Sequence, residues 1–169
     1  MYQLPLKVSG KLNHVVGGWQ VNGILSLYDG LPFSVSAPNT LNIGSGTRAD
    51  RLREGSLPPS QRTIDRWYDI DAFVAPGPQQ FGNSGRNILN GPGTKQLDLS
   101  IFKEWYFGED RARRLQFRAE FFNFTNTPQF NNPTASVGSA ANGTIRAAGS
   151  PLTLQRTPRH IQFGLKLYF

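Results

Sequence analysis

The last eleven residues, Arg159 to Phe169, constrain the fold more than any other stretch of the chain. They read R-H-I-Q-F-G-L-K-L-Y-F. Side chains of a strand alternate between its two faces. Ile161, Phe163, Leu165, Leu167 and Phe169 therefore share one face, and His160, Gln162, Gly164, Lys166 and Tyr168 share the other. The pattern is a strand with one apolar and one polar side. Its length suits a tilted crossing of a bilayer, which takes roughly 9–11 residues. Outer-membrane barrel strands turn their apolar face to lipid and end in aromatic girdles.

Four more stretches read as strands. Residues 1–8 form a short one. Residues 19–36 set Trp19, Val21, Gly23, Leu25 and Leu27 against Gln20, Asn22, Ile24, Ser26 and Tyr28, with a bend or bulge at Gly30-Leu31-Pro32. Residues 96–107 set Leu97, Leu99 and Ile101 against Asp98 and Ser100. Residues 114–124 set Leu115, Phe117, Ala119 and Phe121 against Gln116, Arg118 and Glu120. With 159–169 this predicts an all-β, antiparallel, up-and-down arrangement of five strands. No stretch shows an amphipathic helix pattern.

Alternation alone does not separate a membrane barrel from a soluble β-sandwich. The connections discriminate better. Residues 37–95 and 125–158 are long loops, whereas 9–18 and 108–113 are short. In an up-and-down sheet alternate connections share a rim, so both long loops fall on one side. Barrels of the outer membrane have short periplasmic turns and long extracellular loops. Soluble domains rarely carry loops beyond about 12–15 residues. The aromatics agree: Trp19, Trp105, Tyr106, Phe107 and Tyr168 gather at the short-turn rim, as an interfacial girdle would. Arg118, Glu120 and Lys166 fall on polar faces, which would look into the lumen of a wide barrel.

Charge is less decisive. The formal net charge is +7 with a pI near 10.1. Such a balance suits nucleic acid, anionic lipid headgroups or lipopolysaccharide, or a merely basic surface. The densest basic stretch, Arg48 to Glu54, is interrupted by acids, and no nucleic-acid partner is expected. There is no cysteine, hence neither a disulfide nor a thiolate metal site. No run approaches the roughly 18 apolar residues of a membrane helix, and a barrel needs none. Met1-Tyr2-Gln3-Leu4 does not open a signal peptide, so the chain is expected to be the tail of a longer one. Five strands also fall short of the roughly eight of the smallest barrels.

Six segments in order carry a family resemblance. They are G-G-W-Q-V-N-G-I from Gly17, L-P-F-S-V from Leu31, F-G-N-S-G-R-N-I-L-N-G-P-G from Phe81, L-D-L-S-I-F-K from Leu97, L-Q-F-R-A-E-F-F-N-F-T-N-T-P-Q-F from Leu115, and the terminal strand. Together they resemble the C-terminal end of TonB-dependent outer-membrane receptors of the Oar-like kind, which often carry a carboxypeptidase-regulatory-like domain. The resemblance implies a barrel of about 22 strands around an N-terminal plug. It implies uptake driven by the inner-membrane energy-coupling complex. Expected partners are membrane lipid and lipopolysaccharide, the barrel-assembly machinery, and the rest of the barrel and plug. The terminal strand, Ile161 to Phe169, is expected to act as assembly signal and barrel-closing strand. The competing expectation is a soluble β-sandwich module for carbohydrate or polyanion.

No catalytic, cofactor-binding or metal-binding residue is expected, and the chain does not read as an enzyme. Gly82, Gly85, Gly91 and Gly93 lack the lysine and spacing of a phosphate cradle and shape a loop. Asp65, Asp69 and Asp71 lack calcium-loop spacing and read as solvated acids, with Trp67, Tyr68 and Phe73 pinning their loop. His14 and His160 stand alone in their segments.

Overall fold

A computed structural model describes residues 1–41, 46–108, 113–149 and 158–169. The expected turn 108–113 and the end of the expected loop 125–158 lie partly outside these residues. The described chain forms two compact units, one of residues 1–27, 95–128 and 157–169, the other of the intervening segments.

The first unit is a sheet of five strands in sequence order: β1 (Tyr2–Gln3), β2 (Trp19–Tyr28), β3 (Thr94–Phe107), β4 (Arg113–Phe122) and β5 (His160–Tyr168). Each neighbour in space is a neighbour in chain order, so the sheet is an up-and-down meander. Strands β1 and β2 pair antiparallel through Tyr2↔Val21 and Gln3↔Gln20. One more bond, from Leu4 N to Trp19 O at 2.9 Å, ends the ladder. Pro5 follows and has no N–H to extend it. Between β2 and β3, Gly23 lies beside Leu99 and Gly18 beside Glu104, so these strands also run in opposite directions. Strand β4 pairs antiparallel with β3 from Arg113↔Phe107 to Phe121↔Leu99, and with β5 from Arg114↔Tyr168 to Phe122↔His160.

β1 covers only Tyr2–Gln3 of the expected 1–8, and two further strands stop earlier than their hydrophobic pattern suggests, each for a local reason. β2 ends at Tyr28 rather than Ser36. Gly30 approaches Gly91 so closely that a Cβ there would lie 1.8 Å from the Gly91 carbonyl oxygen. The chain turns at that contact, and Pro32–Phe33 pairs with Leu89–Asn90 instead. β4 ends at Phe122 because Asn123 takes a left-handed φ of 52°. Its side chain bonds Thr127 twice, donating to the carbonyl at 2.9 Å and accepting from the N–H at 3.0 Å. Asn is among the few residues that tolerate this conformation, and its amide rewards it with local bonds.

The second unit is built from the two long connections. Short ladders join Pro32–Phe33 to Leu89–Asn90, Ser36–Ala37 to Thr47–Arg48, and Asp50–Arg51 to Phe73–Val74. Phe33, Val35, Tyr68, Phe73 and Leu89 form a buried cluster, filled in by Ala37, Ala49 and Ala72. The rings of Phe33 and Phe73 stand 5.7 and 5.8 Å from that of Tyr68. Burying each large side chain is worth about 1.5–3 kcal/mol, so this segment has a core of its own. Residues 129–149 are stitched to it by Ser36 N to Ala135 O and Trp67 N to Gly143 O, both 2.9 Å. What reads in sequence as two long loops is one folded body.

Candidate functional site: the two faces of the sheet and its rim

Register fixes what each face carries. On one face Phe121 stands between Leu99 and Ile161, Ala119 between Ile101 and Phe163, Phe117 between Lys103 and Leu165, and Leu115 between Trp105 and Leu167. Trp19, with its ring 6.4 Å from that of Phe117, belongs to this face, and Phe163 stacks on Phe117 at 6.2 Å. Between its rims the face is apolar except at Lys103, and Arg113, opposite Phe107, joins it at the short-turn rim. Phe163 and Leu165 are each 68% exposed. A β-sandwich would bury them under a second sheet, and nothing among the described residues does so.

The opposite face is polar and knitted together. Arg118 pairs with Glu120 at 2.7 Å, and Gln116 donates to Glu104 at 2.8 Å. Arg114 lies 3.6 Å from Glu104 and 4.1 Å above the Tyr168 ring. Lys166 has no carboxylate partner among the described residues; its ammonium sits 4.7 Å over the same ring. Arg118 stands between Gly164 and Phe102, and its guanidinium covers the Phe102 ring at 5.0 Å. Of the three polar-face charges expected from sequence, Arg118 and Glu120 meet each other and Lys166 meets an aromatic.

The five aromatics expected to form a girdle share the rim but divide between the faces. Trp19, Trp105 and Phe107 occupy apolar-face positions. Tyr106, opposite Arg114, and Tyr168 occupy polar-face ones. The Tyr106 hydroxyl donates to Glu104 at 2.6 Å. Side chains of adjacent residues point to opposite sides, so a run such as Trp105-Tyr106-Phe107 cannot line one face.

Lys103 is the feature sequence reasoning passed over. Its parity puts it with Leu97, Leu99 and Ile101, so a charge falls on the apolar face. It is 1% exposed. Its ammonium donates to Val15 O at 2.8 Å and Gly17 O at 2.5 Å. The rings of Trp19 and Trp105 flank it at 5.0 and 5.3 Å. Those rings donate their indole N–H groups to Val15 O and His14 O, at 2.9 and 2.8 Å. The carbonyls belong to the β1–β2 connection, which folds into a 3-10 turn, Gly10–Leu12, and one helical turn, Asn13–Val16.

In the second unit a groove of about 400 Å³ is lined by Ser34, Thr47, Arg48, Phe81, Gly82 and Arg86. Neither arginine makes an ion pair among the described residues. Asp69 is not a solvated acid, as its spacing suggested. Burial pushes its pKa up, but Arg53 and Arg66, which donate to it at 3.0 Å each, outweigh that and hold it below the usual carboxylate range. Tyr68, 1% exposed, donates to Asn142 Oδ1 at 2.6 Å, and burial pushes its phenol up to about 12. Among the described residues no His, Asp or Glu cluster could hold a metal ion.

An up-and-down antiparallel sheet with one exposed apolar face, one ion-paired polar face and aromatics at a rim defines a membrane-spanning β-structure. No helix of the described residues is long and apolar enough to cross a membrane, and none is needed. The outer membrane beta barrel domain family matches residues 1–162, and the chain belongs to it. No curated protein and no solved structure matches the chain. The protein is thus placed in the bacterial outer membrane. Its five strands do not close a barrel among themselves.

Proposed function

We propose that these strands are the C-terminal part of a TonB-dependent receptor of the Oar-like kind, a transporter with a barrel of about 22 strands, and that the chain has no enzymatic role. One observation supports this reading above others. The β2–β3 and β4–β5 connections, which leave the sheet on the same side, are long enough to build a unit with its own core. The β1–β2 connection on the other side is shorter and holds only a 3-10 turn and one helical turn. Long loops on one rim suit a receptor that meets its substrate outside the cell. The groove with Arg48, Arg86 and Phe81 is the part of that unit we assign to first contact with substrate.

Strand β5 would be the assembly signal, read by the barrel-assembly machinery and then paired with the first strand of the barrel. Its exposed ladder edge and continuous apolar side suit both tasks. Lipopolysaccharide, the plug and the energy-coupling complex would be the remaining partners.

The test uses protein extracted from its native outer membrane. It should bind the soluble C-terminal domain of the energy-coupling protein in titration calorimetry. A folded, heat-modifiable barrel that shows no such binding would remove the transporter reading and leave only the barrel.

A further inference from the structure

We propose that the β1–β2 turn, Gly10–Val16, is a second membrane contact: an interfacial anchor resting in the phospholipid leaflet on its side of the barrel, with Leu12 and Val15 at the acyl boundary. The proposal rests on the apolar face of the sheet being the lipid face.

The turn does not hang below the sheet. It is fastened to the apolar side, because the three donors that hold it, Lys103, Trp105 and Trp19, all project from that face. The turn is therefore continuous with the surface that meets lipid. Its outward side chains suit that position: Leu12 and Val15 are 64% and 65% exposed, with Lys11 and His14 exposed beside them. A short segment that exposes apolar groups beside basic ones suits the headgroup region of a membrane.

The hydrogen bonds carry the argument furthest. The end of a helical turn leaves carbonyls without partners. In water they need none from the protein. In a water-poor interface each one left bare is costly. Here the carbonyls of His14, Val15 and Gly17 are all capped by side chains from the strands, and Val15 O receives two donors. That is provision for a medium that supplies few hydrogen bonds. It also explains a lysine on the apolar face: its charge is spent on carbonyls and indole rings of the turn.

This stretch of chain has no cysteine, so once any cysteine elsewhere in the full protein is replaced, single-cysteine spin labels report one site at a time. Labels at Val15→Cys, at Leu165→Cys on the lipid face and at Ala140→Cys in the second unit would be compared in the full protein, inserted in phospholipid bilayers. Access to dissolved oxygen and to a nickel chelate is read for each. The expected result is that the Val15 label follows Leu165, with high oxygen and low nickel access. If Leu165 reports lipid and Val15 follows Ala140, the anchor is overturned and the barrel stands. If Leu165 itself reports water, the lipid face has been misassigned and the anchor falls with it.

Discussion

At Lys103 an ammonium occupies a position that alternation reserves for apolar side chains, and two carbonyls with two indole rings enclose it. Lys103→Met keeps the length of the side chain but removes the donor. It should lower stability in urea titrations of the bilayer-inserted protein by about 1.5–3 kcal/mol, the scale of a hydrogen bond to a charged group. Trp19→Phe or Trp105→Phe removes a neutral donor and should cost less, about 0.5–1.5 kcal/mol through the bond itself. Equal losses for all three would mean that ring packing, not capping, holds the turn. Tyr68 gives a pH prediction. Its folded pKa is raised from 10.0 to about 12, so the stability it contributes is whole below pH 10 and is lost as pH rises toward 12. Near-ultraviolet dichroism of the second unit should show an alkaline transition in that window, absent from Tyr68→Phe.

At the scale of the element, β5 carries the sharpest expectation. Leu165→Asp places a carboxylate on the apolar face proposed to meet lipid, where charge would cost up to about 2–4 kcal/mol for Lys or Arg at mid-bilayer and less for Asp. Both this change and deletion of Phe169 should cut the amount of protein reaching the outer membrane, measured by surface labelling. Wild-type levels of either variant would dismiss β5 as assembly signal. The contrast with Lys103 is instructive, since the two positions flank Phe117 in one row of the sheet. A charge is acceptable there only where a neighbouring element supplies partners. Strand identity was legible because period two dominates β2, β3, β4 and β5 despite exceptions such as Ile24, Phe102 and Lys103. The end of β2 was not, because the stop comes from Gly91, some sixty residues away in sequence. The parity of Lys103 was equally visible; its partners, in a turn nearly ninety residues earlier, were not.

For the whole molecule the lesson concerns residues 28–94 and 129–149. Trp67, Tyr68 and Phe73 signalled that something pins this region. Yet only Phe33, Val35 and Ala37 keep a strand period; Tyr68, Phe73 and Leu89 follow none with them, so no pattern in the chain announces the core they share. Such cores are written in contacts between distant segments. Asp69 gives a way to probe this unit. Its lowered pKa means that the stability it adds is present above the ordinary carboxylate range and disappears as pH falls through its folded value. Protease resistance of the unit should therefore decline in acid. Asp69→Asn should show the decline already at neutral pH, and a variant as resistant as wild type would assign no weight to the Arg53–Asp69–Arg66 cluster.

The stitching of 129–149 to 28–94 has a consequence for the order of events in folding. The two halves of that unit are separated in the chain by Lys95–Pro128, the stretch that holds nearly all of β3 and β4. Neither half can finish its core alone, since Tyr68 needs Asn142 and Ser36 needs Ala135. Closing contacts so far apart costs chain entropy before any burial rewards it. The unit is therefore expected to close its core only once both of its segments are available, late in folding. Until then its apolar residues travel unpaired, and the hairpin of β3 and β4 sets the earliest moment at which they meet.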